Sequence, residues 1–155
     1  MISKVFAFLA AVLTGAAPAP TPQSLPQIVL RAPKAVLTVQ VARTGPQREL
    51  GLMGVRRLAP HTGMLFVFDS DGPVAFWMKD TLIPLDMVFV SSSGSVRAIF
   101  ANVSVVAPSL PDDKIPLEQG RANYVIELPA NEAARDGIRP GCYIRGIPGA
   151  RTSRS

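Results

Sequence analysis

The chain has 155 residues, of which 48% are hydrophobic and 17% charged, and its formal net charge is +5. This length suits one domain with an apolar core and excludes two domains of ordinary size. The only cysteine is Cys142, which excludes an intramolecular disulfide, and the scattered positive charges predict no nucleic-acid partner.

The N-terminus has the layout of a secretory signal peptide. Lys4 precedes an apolar run over residues 5–13, and small residues follow at 14–17. The run is shorter than the roughly 20 apolar residues of a membrane-spanning helix. We therefore predict a signal peptide over residues 1–17, export to the periplasm or the medium, and no membrane span in the mature form.

Residues 18–34 contain five prolines and are predicted to form a linker that cannot be helical. Residues 35–41 alternate between apolar and polar side chains, which predicts the first strand of a domain over residues 35–146. Thr44 and Gln47 have the spacing of a capping box, with Pro46 in the first turn. A short helix is therefore predicted from Gly45 to Met53.

Two continuous apolar runs, 64–68 and 74–78, flank the turn-like sequence 69–73 and predict neighbouring core strands. Residues 87–90 and 95–101 surround a run of serines that ends in Gly94, which predicts a hairpin. Residues 103–120 carry three prolines and are predicted to form a long irregular loop.

The remaining elements are a strand at 123–128, a helix at 132–136, a last strand at 142–144 and a disordered tail at 147–155. Together these patterns predict a mostly β (α+β) fold. We expect one compact domain, built as a sheet or barrel of about six to seven strands with two short helices.

The residues best suited to chemistry lie in the segment 76–86, which interleaves polar and apolar side chains. Trp77 offers a stacking surface, Lys79 an amine and Thr81 a hydroxyl. Asp86 leads into an apolar strand, so its carboxylate needs a cation or several hydrogen-bond donors, and Lys79 or Arg48 could be that cation. Asp86 is read either as a structural carboxylate that accepts main-chain hydrogen bonds or as a ligand-facing group.

Arg48 and Glu49 lie on the first predicted helix, just before glycines that allow close backbone approach. Glu49 is expected to be solvated or paired with Lys79 or Arg48. His61 is predicted to be an exposed turn residue and Cys142 a small packed one. Because the chain has one histidine and one cysteine and no metal, phosphate or dinucleotide motif, we predict no metal site and no cofactor.

Four blocks of the sequence, in order, resemble a family known as domain of unknown function 192. They are residues 48–53, 63–68, 76–86 and 124–130, and the resemblance covers about residues 35–146. It implies a compact, mostly β domain with small helices that is often exported, and it implies no reaction. The sequence departs from the family pattern at Asp80, Asn131, Ser109 and Cys142.

The function predicted from these residues is that of an exported binding or accessory module. Its groove, for a small polar ligand, a peptide or an envelope component, would lie between the first helix and the segment from Trp77 to Asp86. Arg48, Glu49, Trp77, Lys79, Thr81 and Asp86 are its candidate residues. One alternative is a cell-envelope hydrolase that uses Asp86 or Glu49 with Lys79. The other is a structural domain that binds a partner protein through an apolar patch.

Overall fold

A computed structural model describes residues 20–150, so the predicted signal peptide lies outside the described residues. The eight regular elements are β1 (Gln27–Arg31), β2 (Val36–Ala42), α1 (Gly45–Leu50), β3 (Thr62–Phe76), β4 (Leu85–Val90), β5 (Val96–Val103), β6 (Glu118–Pro129) and α2 (Glu132–Arg135). A single 3-10 turn, Asp112–Lys114, lies in the loop between β5 and β6. Among the described helices, none is long and apolar enough to cross a bilayer.

The six strands within residues 20–150 belong to one sheet in the order β1-β2-β3-β6-β4-β5. β2 and β3 are parallel and joined through α1, whereas every other pairing is antiparallel. The predicted mostly β domain with two short helices is therefore confirmed, and it is an open sheet rather than a barrel.

Both faces of the sheet carry an apolar core, because successive side chains of a strand point to opposite faces. On β6, Tyr124, Ile126 and Leu128 belong to the core that α2 covers through Ala133. Val125 belongs to the opposite core, which includes Leu52 of the segment after α1. The second face therefore lies under α1 and the residues that follow it.

The capping box predicted for α1 is present. The Thr44 hydroxyl accepts a hydrogen bond from the Gln47 N–H at 3.3 Å, and the Gln47 side chain accepts one from the Thr44 N–H at 3.1 Å. The helix stops at Leu50, three residues before the predicted end, because Gly51 adopts a positive φ of 48°. The turns from Gly51 onward then bring Leu52 into the core.

The sheet begins earlier than predicted, inside the proline-rich segment. β1 pairs with β2, and its Leu30 is fully buried. Upstream, the Gln23 amide donates hydrogen bonds to the carbonyls of Gln47 and Gly51 at 2.8 and 2.9 Å. Residues 20–34 are therefore part of the packed domain and not a linker, because main-chain pairing and one buried leucine hold them despite the prolines.

β3 is one strand of 15 residues, where the sequence predicted two strands and a turn. Its pairing with β6 shifts between Val67 and Gly72, so the turn-like residues form an irregularity within a continuous strand. The predicted hairpin of β4 and β5 is confirmed. The last predicted strand is wrong, since residues 142–144 make only an isolated bridge, between Tyr143 and Ser95.

The predicted tail starts too early. Ile147 is 5% exposed and belongs to the core under α2, and Ala150 packs against that core. Residues 151–155 lie outside the described part of the chain.

Candidate functional site

A narrow depression of about 30 Å³ lies between α1, the turns after it and the start of the segment 77–81. It has room for one or two water molecules or a group of similar size. Arg48, Glu49, Trp77 and Thr81, four of the six candidate residues, contribute to its lining. The structure therefore brings these four around one small space, together with a residue that was not among the candidates, Glu127.

Glu127 lies on the central strand β6 and points to the face under α1. Its neighbours across the sheet are Met64 on β3 and Met87 on β4, and both methionines are fully buried. The Glu127 side chain is itself only 5% exposed. A carboxyl group thus occupies a position in the sheet where an apolar side chain is the ordinary choice.

Burial raises the pKa of Glu127 from 4.5 to about 8, because the charged form loses its hydration. Desolvation is the cause of this shift, and no hydrogen-bond donor or cation among residues 20–150 opposes it. In that part of the chain, no side-chain oxygen is both fully enclosed and unpaired. The Glu127 oxygens are therefore not completely sealed, and Glu127 is one of the residues that line the depression.

Trp77 follows β3 directly and forms part of the rim, with 36% of its surface exposed. The Lys79 ammonium lies 5.3 Å from the centre of the indole ring, within reach of a cation–π contact. Lys79 also pairs with Asp112 in the loop between β5 and β6. Lys79 thus contacts Trp77, and its ionic partner is Asp112, not Asp86 or Glu49 as the sequence predicted.

Thr81 is 8% exposed and ends the turn that begins at Met78. Its N–H donates to the Met78 carbonyl and its hydroxyl to the Lys79 carbonyl, each at 3.2 Å. Asp80 has a positive φ of 50°, and its carbonyl accepts a hydrogen bond from Gly54 at 2.9 Å. The turn is therefore fixed to the segment after α1, and the two sides of the depression are joined.

Arg48 serves mainly to hold α1 on the sheet. Its guanidinium donates to the Val67 carbonyl at 2.9 Å and to the Arg43 carbonyl, and it lies 5.2 Å from the centre of the Phe68 ring. Glu49, its neighbour, is exposed at the rim. Of the two candidate residues on α1, Glu49 is therefore the one whose charged group is free for a ligand.

Asp86 is not part of the depression. It is fully buried, and one carboxylate oxygen accepts hydrogen bonds from the main-chain N–H groups of Asn102 at 2.7 Å and Asn131 at 3.0 Å. The other oxygen accepts one from Ala133 at 2.9 Å. The structural reading of Asp86 is therefore correct and the ligand-facing one is wrong, because main-chain donors replace the cation that was expected.

An apolar groove of about 310 Å³ lies on the other side of Trp77. Its walls include Met78, Val103, Val105, Val106 and Pro116. Val105 is 47% exposed, so the groove offers apolar surface to solvent. Since Trp77 lines both spaces, one ligand can meet the polar depression and the apolar groove together.

A larger, open hollow of about 680 Å³ lies at the turn between β1 and β2. Its charged lining residues are Arg31, Lys34 and Arg145, and all three are exposed. Exposed, solvated side chains orient a ligand poorly, so this hollow is a weaker candidate than the depression above Glu127.

Sequence reasoning missed Glu127, although the residue stands in one of the blocks used for the resemblance. The available signal was its place in a run of apolar residues, at the position that follows Val125 on the same face. A carboxyl group on the buried face of a predicted strand is as informative as one at the beginning of a strand, such as Asp86.

The fold and this arrangement define a class of small single-domain proteins with an open, mixed six-stranded sheet and short helices on its faces. Within that class, the chain belongs to the family DUF192, described as an "Uncharacterized ACR", which matches residues 28–146. No curated protein matches the chain.

Two solved structures are similar. One, from Sinorhizobium meliloti 1021, is described as "a putative transcription regulator", has 35% sequence identity and a TM-score of 0.72, and the match covers 81% of this chain and 98% of that one. The other, from Novosphingobium aromaticivorans DSM 12444, is described as a protein of unknown function. It has 27% identity and a TM-score of 0.69, with 84% of this chain and 95% of that one covered.

Proposed function

We propose that this protein is a binding module whose ligand carries a small polar group next to an apolar part. The polar group would enter the depression above Glu127, and the apolar part would lie against Trp77 in the neighbouring groove. The observation that carries the proposal is the buried Glu127 carboxyl, which has no hydrogen-bond donor within the described residues and opens onto the depression.

A primary amine is the polar group that this site suits best. Glu127 and Glu49 are both acidic and line the same depression, and the guanidinium of Arg48, which also lines it, is already bonded to the carbonyls of Val67 and Arg43. An ammonium group would supply the cation that Glu127 lacks, and it would lower the pKa of Glu127 by favouring its charged form. A lysine side chain or a free amino terminus of an envelope peptide has this chemistry.

The experiment uses three probes that share an apolar tail: pentylamine, pentanol and pentanoic acid. Trp77 is the only tryptophan of the chain, so its fluorescence reports on the site directly, and amide chemical shifts in NMR locate the binding residues. We expect the amine to bind more tightly than the alcohol, and the acid not to bind. Preferred binding of the acid, or shifts that spare the residues around Glu127, would contradict the proposal.

Glu127→Gln is the decisive variant, because it keeps the size of the side chain and cannot take the charged form that a bound ammonium group would favour. The preference for pentylamine over pentanol should disappear in this variant. Asp113→Asn is the matched control, since Asp113 is exposed in the loop between β5 and β6 and lines neither space. If Glu127→Gln still prefers pentylamine over pentanol, the amine binds at another site.

A second candidate function is catalysis with Glu127 as a general acid, which its raised pKa of about 8 favours. The hydrolase alternative based on Asp86 is withdrawn because Asp86 is sealed, whereas Glu49 stays a candidate at the rim. Hydrolysis of peptidoglycan fragments by the wild type and not by Glu127→Gln would favour the enzyme over the binding module.

We also propose that the protein is exported and that nucleic acid is not its partner. The N-terminal residues 1–17 support export, and the low content of charged residues, 17%, argues against binding to a phosphate backbone. The S. meliloti relative is described as "a putative transcription regulator", which is the reason for a direct test of nucleic-acid binding. Mass spectrometry of the secreted chain tests the first, and a mobility-shift assay at physiological salt the second.

A further inference from the structure

A second cluster of ionisable side chains joins the turn before β3 to α2. His61 Nδ1 lies 3.0 Å from a Glu132 oxygen and 3.0 and 3.2 Å from the two oxygens of Asp136. Glu132 and Asp136 are four residues apart, a spacing that places both carboxylates on one face of a helical turn. His61 thus meets Glu132 and Asp136, which follow it in the sequence by 71 and 75 positions.

The two carboxylates are buried, whereas the imidazole faces solvent. Glu132 is 2% exposed and Asp136 1%, while the His61 side chain is 49% exposed. Within residues 20–150, the other ion pair of these two carboxylates is between Glu132 and Arg135, whose nitrogen lies 3.9 Å from the Glu132 oxygen and whose side chain is 71% exposed. Two buried carboxylates therefore face one imidazole nitrogen, which has a single proton to offer them.

The backbone around His61 holds the ring in this place. His61 has a positive φ of 59°, its N–H donates to the Glu132 carboxylate at 3.1 Å, and its carbonyl accepts from Thr38 at 2.8 Å. The imidazole nitrogen and the carboxylate oxygens that could bind an ion are thus held in place before the ion arrives. Pre-organised donors of this kind are a requirement of a binding site for a small ion.

We propose that His61, Glu132 and Asp136 bind a divalent transition-metal ion of the zinc class. One imidazole nitrogen and two carboxylates are a donor set that zinc accepts, with open positions left for water. Tetrahedral metal bonds of about 2.0–2.2 Å would place neighbouring donor atoms about 3.3–3.5 Å apart. The Nδ1 atom lies 3.0 to 3.2 Å from the carboxylate oxygens, so these groups would need to separate by only a few tenths of an ångström to take up an ion. Donor atoms from all three residues lie within 4.8 Å of one another.

The ligand atoms of this site favour a transition metal over calcium or magnesium. Those ions prefer oxygen ligands throughout, whereas the imidazole nitrogen favours zinc, cobalt, nickel or copper. A bound ion would neutralise the two buried carboxylates and tie α2 to the turn before β3. The site lies apart from the depression above Glu127, because it shares no residue with it.

The test measures zinc binding by competition with a chromophoric chelator, and cobalt binding by its visible absorption. A Cys142→Ser background without a histidine tag removes other strong ligands. We expect one equivalent of zinc, with affinity lowered about 100-fold or more by His61→Asn or Glu132→Gln. Asn tolerates the left-handed φ of position 61, and Asp113→Asn, a change to an exposed carboxylate, should leave the affinity unchanged.

Thermal unfolding gives a second measurement on the same variants. Zinc should raise the Tm of the Cys142→Ser protein and of the Asp113→Asn control, because the ion binds the folded state. It should not raise the Tm of His61→Asn. No saturable binding in the Cys142→Ser protein, or equal binding in His61→Asn, overturns the proposal, and stronger binding of magnesium or calcium than of zinc overturns the assignment of the metal.

Discussion

The Asp86 carboxylate on β4 accepts a hydrogen bond of 2.9 Å from the main-chain N–H of Ala133 in α2. The other oxygen of this carboxylate accepts hydrogen bonds from the main-chain N–H groups of Asn102 and Asn131. One side chain therefore fixes the end of β5 and the start of α2. Replacement by alanine leaves these donors without an acceptor.

We therefore expect Asp86→Ala to lower the free energy of unfolding by about 3 kcal/mol or more, since each lost charge-assisted bond and each stranded donor adds to the cost. Urea denaturation measures the change. Asp113→Asn, at an exposed carboxylate, is the control and should cost less than about 0.5 kcal/mol. An Asp86→Ala protein as stable as the wild type would show that the three bonds do not fix these elements.

The stability contribution of Glu127 should depend on pH. Its pKa is raised from 4.5 to about 8 in the folded protein, so between these values the folded chain holds a proton that the unfolded chain has released. The free energy of unfolding therefore falls as the pH rises through this window, by several kcal/mol at most, because one pKa unit corresponds to about 1.4 kcal/mol.

Glu127→Gln should remove this part of the pH dependence. The variant should resemble the wild type near pH 5 and exceed it in stability near pH 9, since glutamine never carries the buried charge. Urea midpoints from pH 5 to 9 test both statements. Parallel profiles for the two proteins would mean that the Glu127 carboxyl is hydrated in solution.

Two glycines of β3 should respond differently to alanine. A Cβ on Gly63 would lie 1.9 Å from the Glu127 carbonyl oxygen, whereas a Cβ on Gly72 meets nothing within 4 Å. Gly63→Ala should therefore destabilise the protein by about 3 kcal/mol or more, because β3 and β6 must separate. Gly72→Ala, its control in the same strand, should change stability by less than about 1 kcal/mol. Thermal unfolding of the two variants compares them directly.

The contact of Lys79 with Asp112 should matter little to stability. The two side chains are 33% and 57% exposed, and exposed ion pairs contribute at most about 1 kcal/mol. Lys79→Ala and Asp112→Asn should each stay within that limit in urea denaturation. A larger loss would mean that the ion pair, and not the turn at Met78 to Thr81, positions Trp77.

Local sequence patterns predicted the elements whose side chains alternate or whose caps are encoded nearby. β2 and α1 are examples, since Val39 and Thr44 act within a few residues of the chain. β1 was missed because Pro26 and Pro33 surround it and only Leu30 is fully buried. β3 was divided in two because residues 69–73 resemble a turn, and their pairing with β6 depends on a strand about 50 residues later.

The candidate site was predicted only in part, because local patterns do not show which distant segments of the chain meet. Trp77, Thr81 and Glu49 were chosen from local composition, and the structure places them around one depression. Asp86 and Lys79 were paired because they are near in sequence, yet their partners, Ala133 and Asp112, come from distant segments. Glu127 and the cluster at His61 depend on the order of strands in the sheet, which the sequence does not display locally.

The packing of the proline-rich segment sets a limit on how the chain can be trimmed. The Pro20 carbonyl oxygen lies 2.0 Å from where a Cβ on Gly54 would be, and the Gln23 amide donates hydrogen bonds to the carbonyls of Gln47 and Gly51 at the end of α1. A signal peptidase that cuts before Pro20 would leave these contacts intact. A protease that cuts between Gln23 and β1 would remove the hydrogen bonds from Gln23 to the end of α1, the helix beside Trp77. Expression vectors for the isolated domain should therefore start no later than Pro20.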